Sequence, residues 1–125
     1  MTSKVKINLE YIVNCSPKVL YNRLNTASGL TEWFADDVRV RGKHYTFIWE
    51  GSEQTAEMTL HKENRLVRFS WVDEEETYFE FKITRDELTS DVSLLITDFA
   101  DEDEIDETRG LWDSQIAELK HVLGS

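Results

Sequence analysis

The chain has 125 residues, enough for one domain that buries about 65% of its unfolded surface without disulfide or metal staples. Its 40% hydrophobic and 31% charged content is ordinary for a globular protein, but the formal net charge of -11 repels phosphate and so weighs against nucleic acid and anionic membranes as partners. Cys15 is the single cysteine, which excludes an intramolecular disulfide, and no apolar run approaches the ~18 residues of a membrane span. The N-terminus, Met-Thr-Ser-Lys-Val-Lys-Ile-Asn, has no apolar signal core, so the expectation is a cytoplasmic protein.

Lys4 to Asn14 opens with Val5, Ile7, Leu9, Tyr11 and Val13 alternating with polar residues, the period of a half-buried strand. Ser16 is a good N-cap and Pro17 suits the first helical position, which predicts a short helix carrying Val19, Leu20 and Leu24 to about Asn25. After Thr26-Ala27-Ser28-Gly29, Ser28 is expected to cap a second short helix bearing Leu30, Trp33 and Phe34 and ending at Asp36-Asp37.

Six strands follow. Asp37 to Arg41 is short and turns at Gly42-Lys43; Arg39, Arg41 and Lys43 read as a solvated face. His44 to Glu50 places Tyr45, Phe47 and Trp49 on one side, and Gly51-Ser52 turns the chain. Thr55 to Lys62 places Ala56, Met58 and Leu60 on one side, and Glu63-Asn64 turns again. Arg65 to Val72 offers Val67, Phe69 and Trp71, and Asp73 to Glu76 is an acidic hairpin tip. Thr77 to Arg85 offers Phe79, Phe81 and Ile83; after a turn over Asp86 to Ser90, Asp91 to Phe99 offers Val92, Leu94 and Ile96.

A second acidic cluster, Asp101 to Glu104, precedes the last helix, Asp106 to Ser125. Trp112, Ile116, Leu119 and Leu123 recur at spacings of four, three and four, so they share one face, which Ile105 extends; Asp113, Glu118 and Lys120 fall away from it. Gly124 suits the position after the helix end. Sequential strands joined by short turns pair antiparallel, and a twisted sheet of about seven strands curls. The last helix, roughly 28 Å long at ~1.5 Å per residue, must bury its stripe against that sheet and can lie across its concave face above a cavity. The expected fold class is therefore α+β.

Three motifs carry a family pattern. They are Ser16-Pro17-Lys18-Val19-Leu20-Tyr21-Asn22-Arg23-Leu24, Gly29-Leu30-Thr31-Glu32-Trp33-Phe34, and Asn64-Arg65-Leu66-Val67-Arg68-Phe69-Ser70-Trp71. With the closing helix, they make nearly the whole chain resemble the START-like (SRPBCC) helix-grip superfamily, and within it the heat-shock-ATPase activator homologues. The resemblance implies one domain over residues 1–125, with a curved sheet wrapped around the C-terminal helix. The family includes ligand-binding proteins, cyclases and a chaperone activator, so it leaves the function open.

The residues carry no cofactor or metal signature. His44, His61 and His121 stand apart without ligand spacing, and the acidic cluster before the last helix lacks the glycine and spacing of a calcium loop. Acidic residues there already complement the helix dipole. Cys15 could be activated by a helix start, but no base is paired with it, and it reads as a structural thiol. Alternation points Glu50 and Glu80 away from the aromatics.

What remains is an aromatic face. The expected cavity lining is Trp33, Phe34, Phe47, Trp49, Phe69, Trp71, Phe79, Phe81, Trp112 and Ile116, and core and pocket would use the same residue types. The leading expectation is non-enzymatic binding of a small hydrophobic molecule, lipid-like or aromatic. A second is a chaperone-regulating or other protein-interaction module that meets a basic partner surface. A third is a cyclase- or hydrolase-like enzyme, which needs a titratable group inside the cavity.

Overall fold

The computed structural model describes residues 4–74 and 76–124, so Glu75 of the acidic tip and Ser125 of the last stretch lie outside the described residues. Ten residues of alternating polarity form β1 (Lys4–Val13), which buries Ile7, Leu9 and Val13. The Ser16 side chain accepts a hydrogen bond from Val19 N at 3.2 Å, and with Pro17 in the first turn it starts α1 (Pro17–Asn25).

The second helix, α2 (Ala27–Thr31), begins one residue later, and its cap is Thr26 rather than Ser28. Thr26 Oγ1 accepts from Gly29 N at 3.0 Å and also donates to Asn22 O at 2.7 Å. One hydroxyl thus closes α1 and opens α2, leaving Ser28 inside the second helix. Trp33 and Phe34 lie in the turn beyond α2 and not on it. The two helices approach closely at Gly29, where a Cβ would sit 2.4 Å from Asn22 O and 2.7 Å from Arg23 Cα. Only glycine fits there.

The remaining strands are β2 (Asp37–Arg41), β3 (His44–Trp49), β4 (Ser52–Lys62), β5 (Leu66–Trp71), β6 (Tyr78–Arg85) and β7 (Val92–Asp101). They form a seven-stranded antiparallel sheet in the order β1-β7-β6-β5-β4-β3-β2. Every pair after β2 is a sequence neighbour, and β1 returns to pair with β7. The α1–α2 segment therefore connects the two outermost strands. A short 3₁₀ turn (Glu102–Glu104) leads from β7 into α3 (Ile105–Leu123), which ends at Gly124 in the left-handed region with φ 72°. The helix-grip architecture read from the sequence is borne out.

Two strand assignments are corrected. β4 begins at Ser52, because the tight turn is centred on Glu50-Gly51 rather than Gly51-Ser52. Leu60 does not share the inner face with Ala56 and Met58. The pairing of β4 with β5 slips between Met58 and Leu60, so that Met58 opposes Phe69 while Leu60 opposes Arg68. One extra residue reverses every side chain beyond it, which leaves Leu60 37% exposed. No helix among the described residues is long and apolar enough to cross a membrane.

The concave face carries a continuous core. Phe47, Phe69, Phe81, Leu94, Ile96, Ile116 and Leu119 are fully buried, together with Leu20, Leu24 and Leu30 from the two short helices. Phe69 meets Phe79 stacked at 5.1 Å and Tyr45 edge-on at 4.9 Å. On the convex face Arg68 Nη2 pairs with Glu80 Oε1 at 2.7 Å while its guanidinium covers the Tyr78 ring.

Candidate ligand pocket beneath the C-terminal helix

α3 is held to the sheet differently along its two halves. Its C-terminal half packs Ile116 and Leu119 into the core. Its N-terminal half is pinned by polar contacts. Trp112 Nε1 donates to Asp98 Oδ2 on β7 at 2.8 Å, and Tyr11 Oη on β1 donates to Asp113 Oδ1 at 2.6 Å. Gln115 Nε2 donates to the Phe34 carbonyl at 3.2 Å, an oxygen that also receives Trp49 Nε1 at 2.8 Å. These bonds fix the helix and the turn after α2 at defined positions without filling the space between them.

That space is a pocket of about 390 Å³, partly open to solvent. Its walls are Phe34 from the turn, Trp49 and Trp71 from the last positions of β3 and β5, Phe79 from β6, and Trp112 from α3. Gln54, Asp98, Thr108 and Gln115 supply the polar atoms, and the exposed Leu111 stands at the mouth. The rings hold one another: Phe34 stacks on Trp112 at 5.8 Å and on Phe79 at 5.2 Å, and Trp71 leans on Phe79 at 5.1 Å. The volume falls within the range of small-molecule sites, and a mostly apolar wall with a few convergent polar groups is the composition of such sites.

Of the ten residues expected to line a cavity, Phe34, Trp49, Trp71, Phe79 and Trp112 are brought together here. Phe47, Phe69, Phe81 and Ile116 lie deeper, with exposures of 0% or 1%, and make the packed half of the interior. Trp33 turns away from the pocket, donating Nε1 to Arg23 O at 2.8 Å and resting against Phe81. The interior is thus part core and part pocket, and Trp112 is a wall between them.

Sequence reasoning passed over Asp98. It continues the inward series of Val92, Leu94 and Ile96 at the same period, so the signal was present. Burial pushes its carboxyl above the usual carboxylate range, opposed by the hydrogen bonds from Trp112 and from Phe99 N. Elsewhere, burial raises the Cys15 thiol, and a backbone hydrogen bond at the helix start opposes that shift. Asp101, Asp103 and Glu104 place carboxylate oxygens within 4.8 Å of one another at the start of α3. A hydrogen bond to Asp101 and that residue's charge push the Glu104 carboxyl up. Negative side chains at a helix start are accounted for by the helix dipole.

The family model described as a START-like superfamily domain matches residues 1–125. A Bacteroides fragilis protein known from a solution NMR structure is 39% identical, over 98% of this chain and 93% of that one, with a TM-score of 0.69. The Aha1 dimer of Colwellia psychrerythraea is 21% identical over 93% of each chain, with a TM-score of 0.78. A Mesorhizobium loti protein is 12% identical over 96% of this chain and 97% of that one, with a TM-score of 0.79. The last two likenesses establish a shared fold alone. No curated protein matches the chain.

Proposed function

The chain belongs to the START-like superfamily, and on that premise we propose that it acts as a single-domain, non-enzymatic binder of a small hydrophobic molecule held between the sheet and α3. The observation that carries the proposal is the pocket itself: five aromatic walls around about 390 Å³ of open space, beside a core whose Phe47, Phe69 and Phe81 are fully buried. A chain that needed only stability would close such a space, because unfilled apolar volume forfeits packing energy. The reading includes a cytoplasmic setting, which a lone cysteine suits.

The enzyme reading has one observation in its favour, the half-buried Asp98 in the pocket wall, whose carboxyl burial pushes up. Acid–base chemistry ordinarily pairs such a group with a second one. Among the described residues lining the pocket, Asp98 has no histidine, lysine, cysteine or tyrosine beside it. That favours binding over turnover. The test is a panel of fatty acids, lipids, sterols and polyketide-like aromatics followed by chemical-shift perturbation. Saturable shifts at Trp49, Thr108, Trp112 and Gln115 are expected for at least one class. Absence of such shifts across the panel would sink the proposal.

A further inference from the structure

The electronic character of the pocket narrows the ligand class, and this step rests on the binding reading above. Three indoles and two phenyl rings supply most of the wall, and aromatic faces carry negative potential. Two of the indole N–H groups that could have welcomed an anion are consumed within the protein, Trp49 by the Phe34 carbonyl and Trp112 by Asp98. Gln115 directs one of its two amide N–H groups to the same carbonyl. Asp98 keeps spare acceptor capacity, since Oδ1 accepts from Phe99 N and Oδ2 from Trp112 Nε1 and each can take another bond.

Apart from Lys4, whose charge reaches Asp98 from outside the pocket lining, the surroundings carry the same sign. A shallower hollow that shares Phe34, Trp49 and Gln115 with the pocket is flanked by Asp36 and Glu118. On the opposite side, a hollow sharing Gln54 and Trp71 is flanked by Asp73 and by Glu74, the latter paired with Lys4 at 3.3 Å. Among the described residues, neither the pocket nor these two hollows is lined by lysine, arginine or histidine. The whole chain adds a net charge of -11, which concentrates cations at its surface.

We infer that the pocket takes an organic cation, an alkylated ammonium group carried on an apolar or aromatic body, with the ammonium set among Trp71, Phe79 and Trp112 and facing the Asp98 carboxylate. Aromatic faces and one carboxylate around a compact apolar space are what recognises a weakly hydrated ammonium, whose positive charge is attracted to ring faces while its methyl groups need no hydrogen-bond acceptors. A fatty acid would bring its carboxylate toward Asp98 with no cationic side chain in the described lining to receive it, at the cost of like-charge repulsion.

The experiment compares two probes of equal shape, 4-(trimethylammonio)benzyl alcohol and its neutral isostere 4-tert-butylbenzyl alcohol. Binding is followed through the indole N–H resonances of Trp49 and Trp112. The cation is expected to bind about tenfold or more tightly than the isostere, as desolvated cation–π contacts provide. Asp98→Asn, which keeps an acceptor for Trp112, should shrink that preference severalfold, and Trp71→Leu should shrink it with little change in affinity for the neutral probe. Equal or tighter binding of the isostere by the native protein overturns the inference and leaves the pocket reading intact. An unchanged preference in Asp98→Asn overturns it too. Saturable shifts from neither probe overturn the inference, whereas the pocket reading stands or falls with the wider lipid panel. The native comparison decides even if a variant fails to fold.

Discussion

Gly29→Ala sets two effects of opposite sign against each other. Gly29 lies inside α2, so alanine should gain about 1 kcal/mol of helix propensity. The new methyl, however, would stand 2.4 Å from Asn22 O and 2.7 Å from Arg23 Cα, separations that side-chain carbons do not tolerate. Both neighbours are backbone of α1, so relief requires the two helices to part rather than a side chain to rotate. Overpacking that shifts backbone typically costs roughly 1–3 kcal/mol, and two backbone contacts this short put the site at the upper end. The steric term wins, and the net loss should be about 2 kcal/mol, seen in urea as a lower midpoint at unchanged slope and in heating as a fall of roughly 8 °C. The turn bearing Phe34 follows directly from α2, so the variant should also weaken ligand binding. A variant as stable as the native protein would refute the close-approach argument and the role of this glycine in the Gly-Leu-x-x-Trp-Phe motif.

Truncating Phe69 to Ala should cost about 3–5 kcal/mol, whereas Leu60→Ala should cost under about 1 kcal/mol; equal losses in denaturant titrations would contradict the register slip in β4. Burial, and then the hydrogen bond to Asp113, raise the Tyr11 phenol above its ordinary value near pH 10. The stability it contributes is complete below about pH 10 and is lost as pH rises through the shifted value, so Tyr11→Phe should flatten the alkaline decline measured by circular dichroism. A decline of native steepness in the variant would discount the Tyr11–Asp113 pin. Asp98 is likewise raised by burial, so folding favours its protonated form, and that benefit is present below about pH 4 and lost as pH rises through the shifted value. Asp98→Asn should therefore gain on the native protein as pH rises above about 4, and a stability difference that does not change with pH would show the carboxylate to be well solvated.

The strands were legible because a pleated sheet with one buried face imposes a period of two, and Phe47, Phe69, Phe81 and Ile96 all obey it. The same logic failed at Leu60, since a one-residue slip leaves no mark in composition. Sequence alone does not choose the cap of α2, because Thr26 and Ser28 are both competent caps and the choice depends on where α1 stops. Asp98 was legible by period and hidden by charge, as polarity suggests a surface position. Division of the aromatic face into core and pocket could not be read at all. It depends on where along α3 the contact changes from Ile116 and Leu119 to the polar pins at Trp112 and Asp113. Trp49 and Trp71 become pocket walls because they end their strands where the helix stands away from the sheet, a three-dimensional fact that periodicity does not carry.

The central claim is that a ligand occupies the space between the N-terminal half of α3 and the ends of β3 and β5. Intermolecular nuclear Overhauser effects from the tightest-binding small molecule test it most directly. The account predicts contacts to ring protons of Trp71, Phe79 and Trp112, and to the Leu111 methyls at the mouth, with none to Phe69 or Phe81. Contacts confined to the convex face around Leu60 and Arg68, or to Val40 on β2, would contradict it.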